Sequence, residues 1–224
     1  VAPRRAVMLW SGGKDSTLAL EAALADPRLT IERLVTTVTA DYDRISMHGV
    51  RRTLLEQQAD ALGIPLSVAT IPVGCTNAIY EASLGAVLRP LASSGITHIV
   101  CGDLFLADIR EYRERTLAEH GLTALFPLWL RDTAVVARDF IARGFEATTC
   151  CVDPKQMPGE LVGRRYDAAF LAELPATADP CGENGEFHTF VSNGPIFRRP
   201  VAVRVGDRVE RGGFWFADIV PLAV

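Results

Sequence analysis

The sequence predicts an α/β protein: a doubly wound parallel sheet followed by a smaller C-terminal α+β domain. Three observations carry this. Apolar, β-branched runs alternate with helix-spaced segments up to residue 119. The first run ends in a glycine turn that opens a helix. Beyond about 130, short extended runs separated by Gly and Pro replace the alternation. Strands separated by helices form parallel βαβ units, and ligands of such sheets bind outside the carboxyl ends of the strands.

Ala6 to Trp10 reads as a buried strand and Ser11 to Ser16 as the turn. Residues 16–25 form a helix whose only charge is Glu21, so it packs against the sheet. Ile31 to Val38 is a second strand. Ser46-Met47-His48-Gly49 leads into a helix over 50–62, which Gly63 and Pro65 end. Leu66 to Ile71 is a third strand, and residues 77–94 are a helix stopped by Gly95. His98 to Asp103 is a fourth strand running into a loop, and 108–119 is a charged helix. Helices are expected over 132–143 and 160–174, then a polar, Gly/Pro-rich stretch over 175–184 and short strands with turns. The expected domains are 1–130 and 131–224. Three segments then meet at one sheet edge: the 11–16 turn, residues 39–48, and Gly102-Asp103.

The 224 residues are 49% hydrophobic and 22% charged, ample for a core, and the net charge of −4 gives no footprint for bulk nucleic acid. No apolar stretch approaches the ~20 residues of a membrane span, and the N-terminus shows no signal-peptide h-region. The five cysteines form no C-x-x-C pair, which favours a reducing compartment and a soluble cytoplasmic protein. Adjacent Cys150 and Cys151 read as small buried apolar residues. Of 23 basic residues only Lys14 and Lys155 are lysines, a bias of the kind high-GC coding produces. Lys14 is thus a lysine where arginine is the rule, which suits a compact charge on phosphate.

Ser11-Gly12-Gly13-Lys14-Asp15-Ser16 has the make-up of an anion cradle. Glycines admit close approach, and the first N–H groups of the following helix lack intrahelical partners. No stretch has the Gly-x-x-x-x-Gly-Lys-Ser/Thr spacing of a P-loop. An ordinary Gly-Gly turn with a Ser cap is the plain alternative. The motif resembles the pyrophosphate loop of the PP-loop ATP pyrophosphatases of the adenine nucleotide α-hydrolase superfamily, which cut ATP between the α and β phosphates.

Asp179 to Val191 is the second dense cluster, D-P-C-G-E-N-G-E-F-H-T-F-V. If 186–191 is extended, Glu186 and His188 share one face. A carboxylate beside an imidazole can orient its tautomer and handle protons. A polar turn before an edge strand explains the composition equally well, and a metal site on Glu186 and His188 would need a third ligand.

Taken together, S-G-G-K-D-S, Gly102-Asp103, Tyr112-Arg113, Pro127-Leu128-Trp129, Gly182 to Phe190 and Gly194-Pro195-Ile196-Phe197 resemble the diphthine–ammonia ligase family over nearly the whole chain. The resemblance implies a HUP/PP-loop-type sheet domain and an AMP-forming, ATP-dependent ligase that adenylates a carboxylate before ammonia attacks. It implies Mg²⁺, with Asp15 and then Asp103 as its contacts; Asp15 as a plain helix-start acid is the alternative. Backbone N–H groups of Gly12, Gly13 and Ser16 would hold the β and γ phosphates, with Lys14 and the Ser11 hydroxyl. Met47 and His48 would line the adenine pocket, although His48 also suits a helix-cap neighbour. Tyr112 and Arg113 would stand at the site's mouth, though Glu111 and Arg115 at i,i+4 also suit a solvated face. Glu183, Asn184, Glu186 and His188 would hold the acceptor or ammonia. Family enzymes amidate diphthine on elongation factor 2; a bacterial homologue, which the arginine bias suggests, would use another acid. The oligomeric state stays open, a homodimer included. Two rivals remain: a nucleotide sensor without turnover, and a tRNA-modifying PP-loop enzyme, which the missing C-x-x-C pair weakens.

Overall fold

The computed structural model describes residues 2–45 and 48–222, so Met47 lies outside the described residues. The chain runs β1 (Arg4–Leu9), α1 (Lys14–Ala25), β2 (Leu29–Thr39), β3 (Arg44–Ile45), α2 (Arg52–Leu62), β4 (Leu66–Ile71), α3 (Asn77–Ser93), β5 (His98–Val100), α4 (Ala107–Ala118) and β6 (Thr123–Leu125). It continues through α5 (Thr133–Ala142), β7 (Glu146–Val152), a 3₁₀ turn (Gly159–Leu161), α6 (Ala168–Glu173), β8 (Phe187–Asn193), β9 (Val203–Arg211) and β10 (Phe214–Pro221).

Five strands pair in parallel in the order β4-β2-β1-β5-β6. From β1 the chain passes to β2 on one side and returns to β5 on the other, so the order reverses between β1 and β5. That reversal opens the crevice where α/β sheets bind ligands, and the 11–16 loop and Gly102-Asp103 flank it. β4 occupies one edge of β2 along Leu34–Thr39. The antiparallel β3, paired to Val38 and Thr39, therefore takes the other edge, beyond the end of β1. This places the chain after β3, including His48, over the crevice.

Alternation along β1 divides the core. Ala6 and Met8 face α1, α2 and the second sheet, whereas Val7 faces Leu84, Leu88, Ile99 and Leu117. The second sheet is antiparallel, β8-β7-β10-β9. Its Phe187, Phe190 and Val191 belong to the same buried cluster as Met8 and Leu18, so the two sheets share one core. Arg44 and Arg51 both bond Asp218 of β10, at 3.0 and 2.5 Å, tying the segment around His48 to the second sheet.

Two expectations need correction. The helix over 160–174 is a single 3₁₀ turn and the short α6, because Gly163 takes a left-handed φ of 77° and the Asp167 carboxylate caps α6 by accepting the Phe170 N–H at 2.9 Å. The strand β7 falls where the sequence pattern predicts none. Cys150 and Cys151 lie in it, both buried.

Candidate active site

The loop after β1 is held by its own side chains. Gly12 has φ 76°, open to glycine without strain. Gly13 is the extended residue before α1. Its carbonyl accepts the Ser16 hydroxyl at 3.0 Å and the Thr17 hydroxyl at 2.8 Å, while its N–H donates to Ser11 Oγ at 3.2 Å. Ser11 and Ser16 hydroxyls sit 3.0 Å apart. Two other segments close on this turn. A Cβ on Gly13 would come within 3.0 Å of the Thr189 carbonyl, and one on Gly102 within 2.9 Å of the Ser16 nitrogen. Thr189 Oγ1 also accepts the Lys14 backbone N–H at 3.1 Å, so β8 caps the helix that the loop opens.

Lys14 departs from the simplest expectation. Its side chain is 3% exposed, and its ammonium donates to Asp15 Oδ2 at 2.8 Å and to the Cys181 carbonyl, over the rings of Phe187 and Tyr166 at 5.3 and 5.7 Å. The charge thus lies in the floor of the cleft. Burial is the largest influence and opposes the charge, yet Asp15, with Cys181 and Glu183, holds the pKa above the ordinary lysine value. Asp15 is also raised, because its burial outweighs Lys14 and because Asp179 and Asp103 add negative potential. The other Asp15 oxygen, Oδ1, is buried and has no hydrogen-bond partner among the described residues.

Across the crevice Asp103 pairs with Arg113 at 2.7 Å. Glu183 accepts the Leu104 N–H at 2.7 Å. Burial chiefly, then the charges of Asp15 and Asp103, push its carboxyl up to about 7 against the Leu104 hydrogen bond and Lys14. His48 and His188 stack with centroids 4.3 Å apart and planes 25° from parallel. Burial lowers His48 to about 4, and burial with His48 and Lys14 takes His188 well below its ordinary value. Both imidazoles are therefore neutral at physiological pH. His48 Nδ1 and His188 Nε2 are buried without partners among the described residues.

These groups line one cavity of about 240 Å³. A second, of about 160 Å³, continues past His48 and Arg113 over the ends of β1 and β2, where Thr36 Oγ1 is buried and unpartnered among the described residues. Of the sequence candidates, Ser11, Gly13, Lys14, Asp15, Ser16, His48, Gly102, Asp103, Arg113, Glu183 and His188 line the first cavity. Gly12 lies beneath it, its carbonyl bound inward by the Val191 N–H at 2.9 Å and Gln58 Nε2 at 3.0 Å.

Three candidates lie elsewhere. Glu186 precedes β8 and turns back, accepting the Asp179 and Asn184 N–H groups at 2.8 and 2.9 Å and the Asn184 side-chain amide at 3.1 Å. It is 1% exposed and shapes the 179–186 loop, so it does not share the cleft face with His188. Asn184 is exposed. Tyr112 lies under Arg115, 5.6 Å from its ring centroid, and is absent from both cavity walls. Thr36, Gln58 and Thr189 were missed. Thr189 stood inside the flagged segment, but no sequence signal marked the other two.

Among the described residues no group of three His, Cys, Asp or Glu could hold a metal alone. Mg²⁺ takes one or two carboxylates and completes its shell with phosphates and water. The unengaged Asp15 Oδ1 beside the loop fits that demand.

Sheet order, glycine loop and cleft define a PP-loop/HUP-type α/β protein with a smaller C-terminal domain. The chain belongs to the diphthamide synthase family: the family's N-terminal domain matches residues 4–124 and its C-terminal domain matches residues 132–220. It is 25% identical over 236 residues to the diphthine–ammonia ligase of Danio rerio, covering 96% of this chain and 92% of that protein. It is 24% identical over 247 residues to the diphthine–ammonia ligase of Rattus norvegicus, covering 97% and 90%. No described helix is long and apolar enough to cross a membrane.

Proposed function

We propose that this chain is an ATP-dependent amide-forming ligase. It joins an acceptor carboxylate to the α-phosphorus of ATP with loss of pyrophosphate, and ammonia then displaces AMP. The observation that carries this reading is the shared cavity, to which the glycine loop brings Lys14 and the distant 181–189 segment brings Glu183 and His188. A nucleotide binder needs the first set; the second supplies an acid–base group where an acceptor would sit.

In this reading residues 1–130 bind ATP, with the adenine in the cavity over β1 and β2 and the triphosphate along the 11–16 loop. Residues 131–224 supply the acceptor wall. Lys14 stabilises the departing pyrophosphate, and Ser11 and Ser16 present hydroxyls to it. Asp15, with Asp103 second, would hold Mg²⁺, which supplies charge neutralisation for the triphosphate when bound. A carboxylate resists ammonia because its leaving group would be oxide; adenylation gives it AMP instead. Ammonia donates its lone pair to the acyl carbon, the C–O bond to AMP breaks, and the nitrogen sheds a proton. Glu183, with a pKa of about 7, is suited to take that proton. The neutral His188, its Nε2 unengaged among the described residues, accepts an N–H of the incoming ammonia.

The acceptor is diphthine on elongation factor 2 or a different carboxylic acid that undergoes the same chemistry. The test supplies ATP, an ammonium salt and either diphthine-bearing elongation factor 2 or a cell extract, and follows nucleotide products and amidated mass. AMP and pyrophosphate are expected, together with an acceptor whose carboxyl OH is replaced by NH₂ and whose mass falls accordingly; ADP and phosphate as sole products would refute the assignment.

A further inference from the structure

Gln58 of α2 is fully buried, and its side chain bonds the glycine loop, the residue before that loop, and β8. Its Oε1 accepts the Trp10 indole N–H at 2.9 Å, and its Nε2 donates to the carbonyls of Gly12 at 3.0 Å and Val191 at 2.6 Å. The Gly12 carbonyl is thereby held by two donors, the second being the Val191 N–H at 2.9 Å. A Cβ on Gly12 would lie 2.7 Å from Gln58 Oε1, so glycine and glutamine fit as a pair.

The peptide joining Gly12 to Gly13 is planar and trans, so its N–H points opposite to its carbonyl. Drawing the Gly12 oxygen into the core turns the Gly13 N–H to the opposite side, where it donates to the Ser11 hydroxyl at 3.2 Å in the cleft wall that Gly13 and Ser11 share. If that peptide rotated, it would present a carbonyl oxygen where phosphate oxygens must lie, exchanging a donor for a repelling acceptor. We infer that Gln58 is a positioning residue for the phosphate cradle: it locks the Gly12–Gly13 peptide with its N–H on the cleft side, beside the Ser11 hydroxyl it bonds, and its carbonyl away from the anion. It does so by bonding loop and β8 simultaneously, so the loop is set only when the second sheet is seated. The inference rests on the proposed reading that this loop binds the ATP phosphates.

The test titrates the whole chain with two probes, pyrophosphate and adenosine, in wild type, Gln58→Met and Gln58→Glu. Gln58→Met keeps the volume and removes all three bonds; Gln58→Glu keeps the acceptor for Trp10 but sets carboxylate against two carbonyls. A hydrogen bond to a charged group is worth about tenfold to a hundredfold in affinity, so pyrophosphate should weaken by ~10–100-fold while adenosine changes by less than about threefold. A residue important only to fold stability would move both probes together. Unchanged pyrophosphate affinity, parallel loss of both ligands, or unfolding of both variants would overturn the inference. If wild type binds adenosine but not pyrophosphate, the reading of the loop itself falls, and the inference with it.

Discussion

Replacing Glu183 by Gln tests the assignment of the proton acceptor. The change keeps an oxygen for the Leu104 N–H at 2.7 Å and removes only the ionisation. With a carboxyl near 7, wild type is ~50% ionised at pH 7, ~10% at pH 6 and ~1% at pH 5. The amidation rate, measured at constant free ammonia, should therefore fall about tenfold per pH unit below 7. Glu183→Gln should lose that limb and run ~10²–10⁴-fold slower at pH 8, the usual worth of a positioned acid–base group. Stability gives an independent check. The folded-state pKa lies above the ordinary glutamate value, so the folded protein holds the proton more tightly than the unfolded chain. Stability associated with Glu183 is complete below the ordinary value and is lost as pH rises through about 7. The melting temperature of Glu183→Gln relative to wild type should therefore rise between pH 5 and pH 8. A variant that retains the acid limb would show that another group takes the proton. A relative melting temperature that is flat with pH would show that the carboxyl is not raised.

Two further substitutions separate chemistry from architecture. Lys14→Ala should slow AMP formation by ~10²–10³-fold, the loss typical of one electrostatic donor. Lys14→Arg should rescue little, because a planar fork cannot fill a buried niche shaped to an ammonium; near-normal turnover in the alanine variant would refute the role. Glu186→Gln should act on the fold: its oxygens accept only donors, so an amide NH₂ among them costs about 1–3 kcal/mol. Thermal denaturation should show that loss together with faster proteolysis near 179–186, and an unshifted melting curve would contradict the structural role.

The sheet and its crevice were legible because their causes are local. A β-branched run, a glycine pair and a helix repeat are each written in a few consecutive residues, and the alternation of strands with helices implies parallel pairing, though not the strand order, without long-range information. The same locality explains the failures. β7, Glu-Ala-Thr-Thr-Cys-Cys-Val, is buried along most of its length and carries no polar alternation to announce it. Pattern alone made a helix of 160–174, but Gly163 and the Asp167 cap decided otherwise. The parity that paired Glu186 with His188 assumed a strand already begun, whereas β8 starts at Phe187 and the carboxylate bonds the loop behind it.

Lys14 shows where sequence reading of a site runs out. Its charge, its compactness and its place at a helix start are all legible, and all of them concern the residue itself. Where the ammonium points depends on the Cys181 carbonyl, 167 positions away, and on the rings of Tyr166 and Phe187. Thr189 and Gln58 follow the same rule: each is an ordinary polar residue until β8 is laid against the loop, and only then do they hold one helix N–H and one peptide. The parts of the candidate site that are built from backbone are therefore written in the glycines. The parts that aim those backbone groups come from the second sheet and α2, and no spacing in the chain records them. A loop of this composition without β8 beside it would lose the Thr189 and Val191 bonds and, with them, the hold on the first N–H of α1 and on the Gly12 carbonyl.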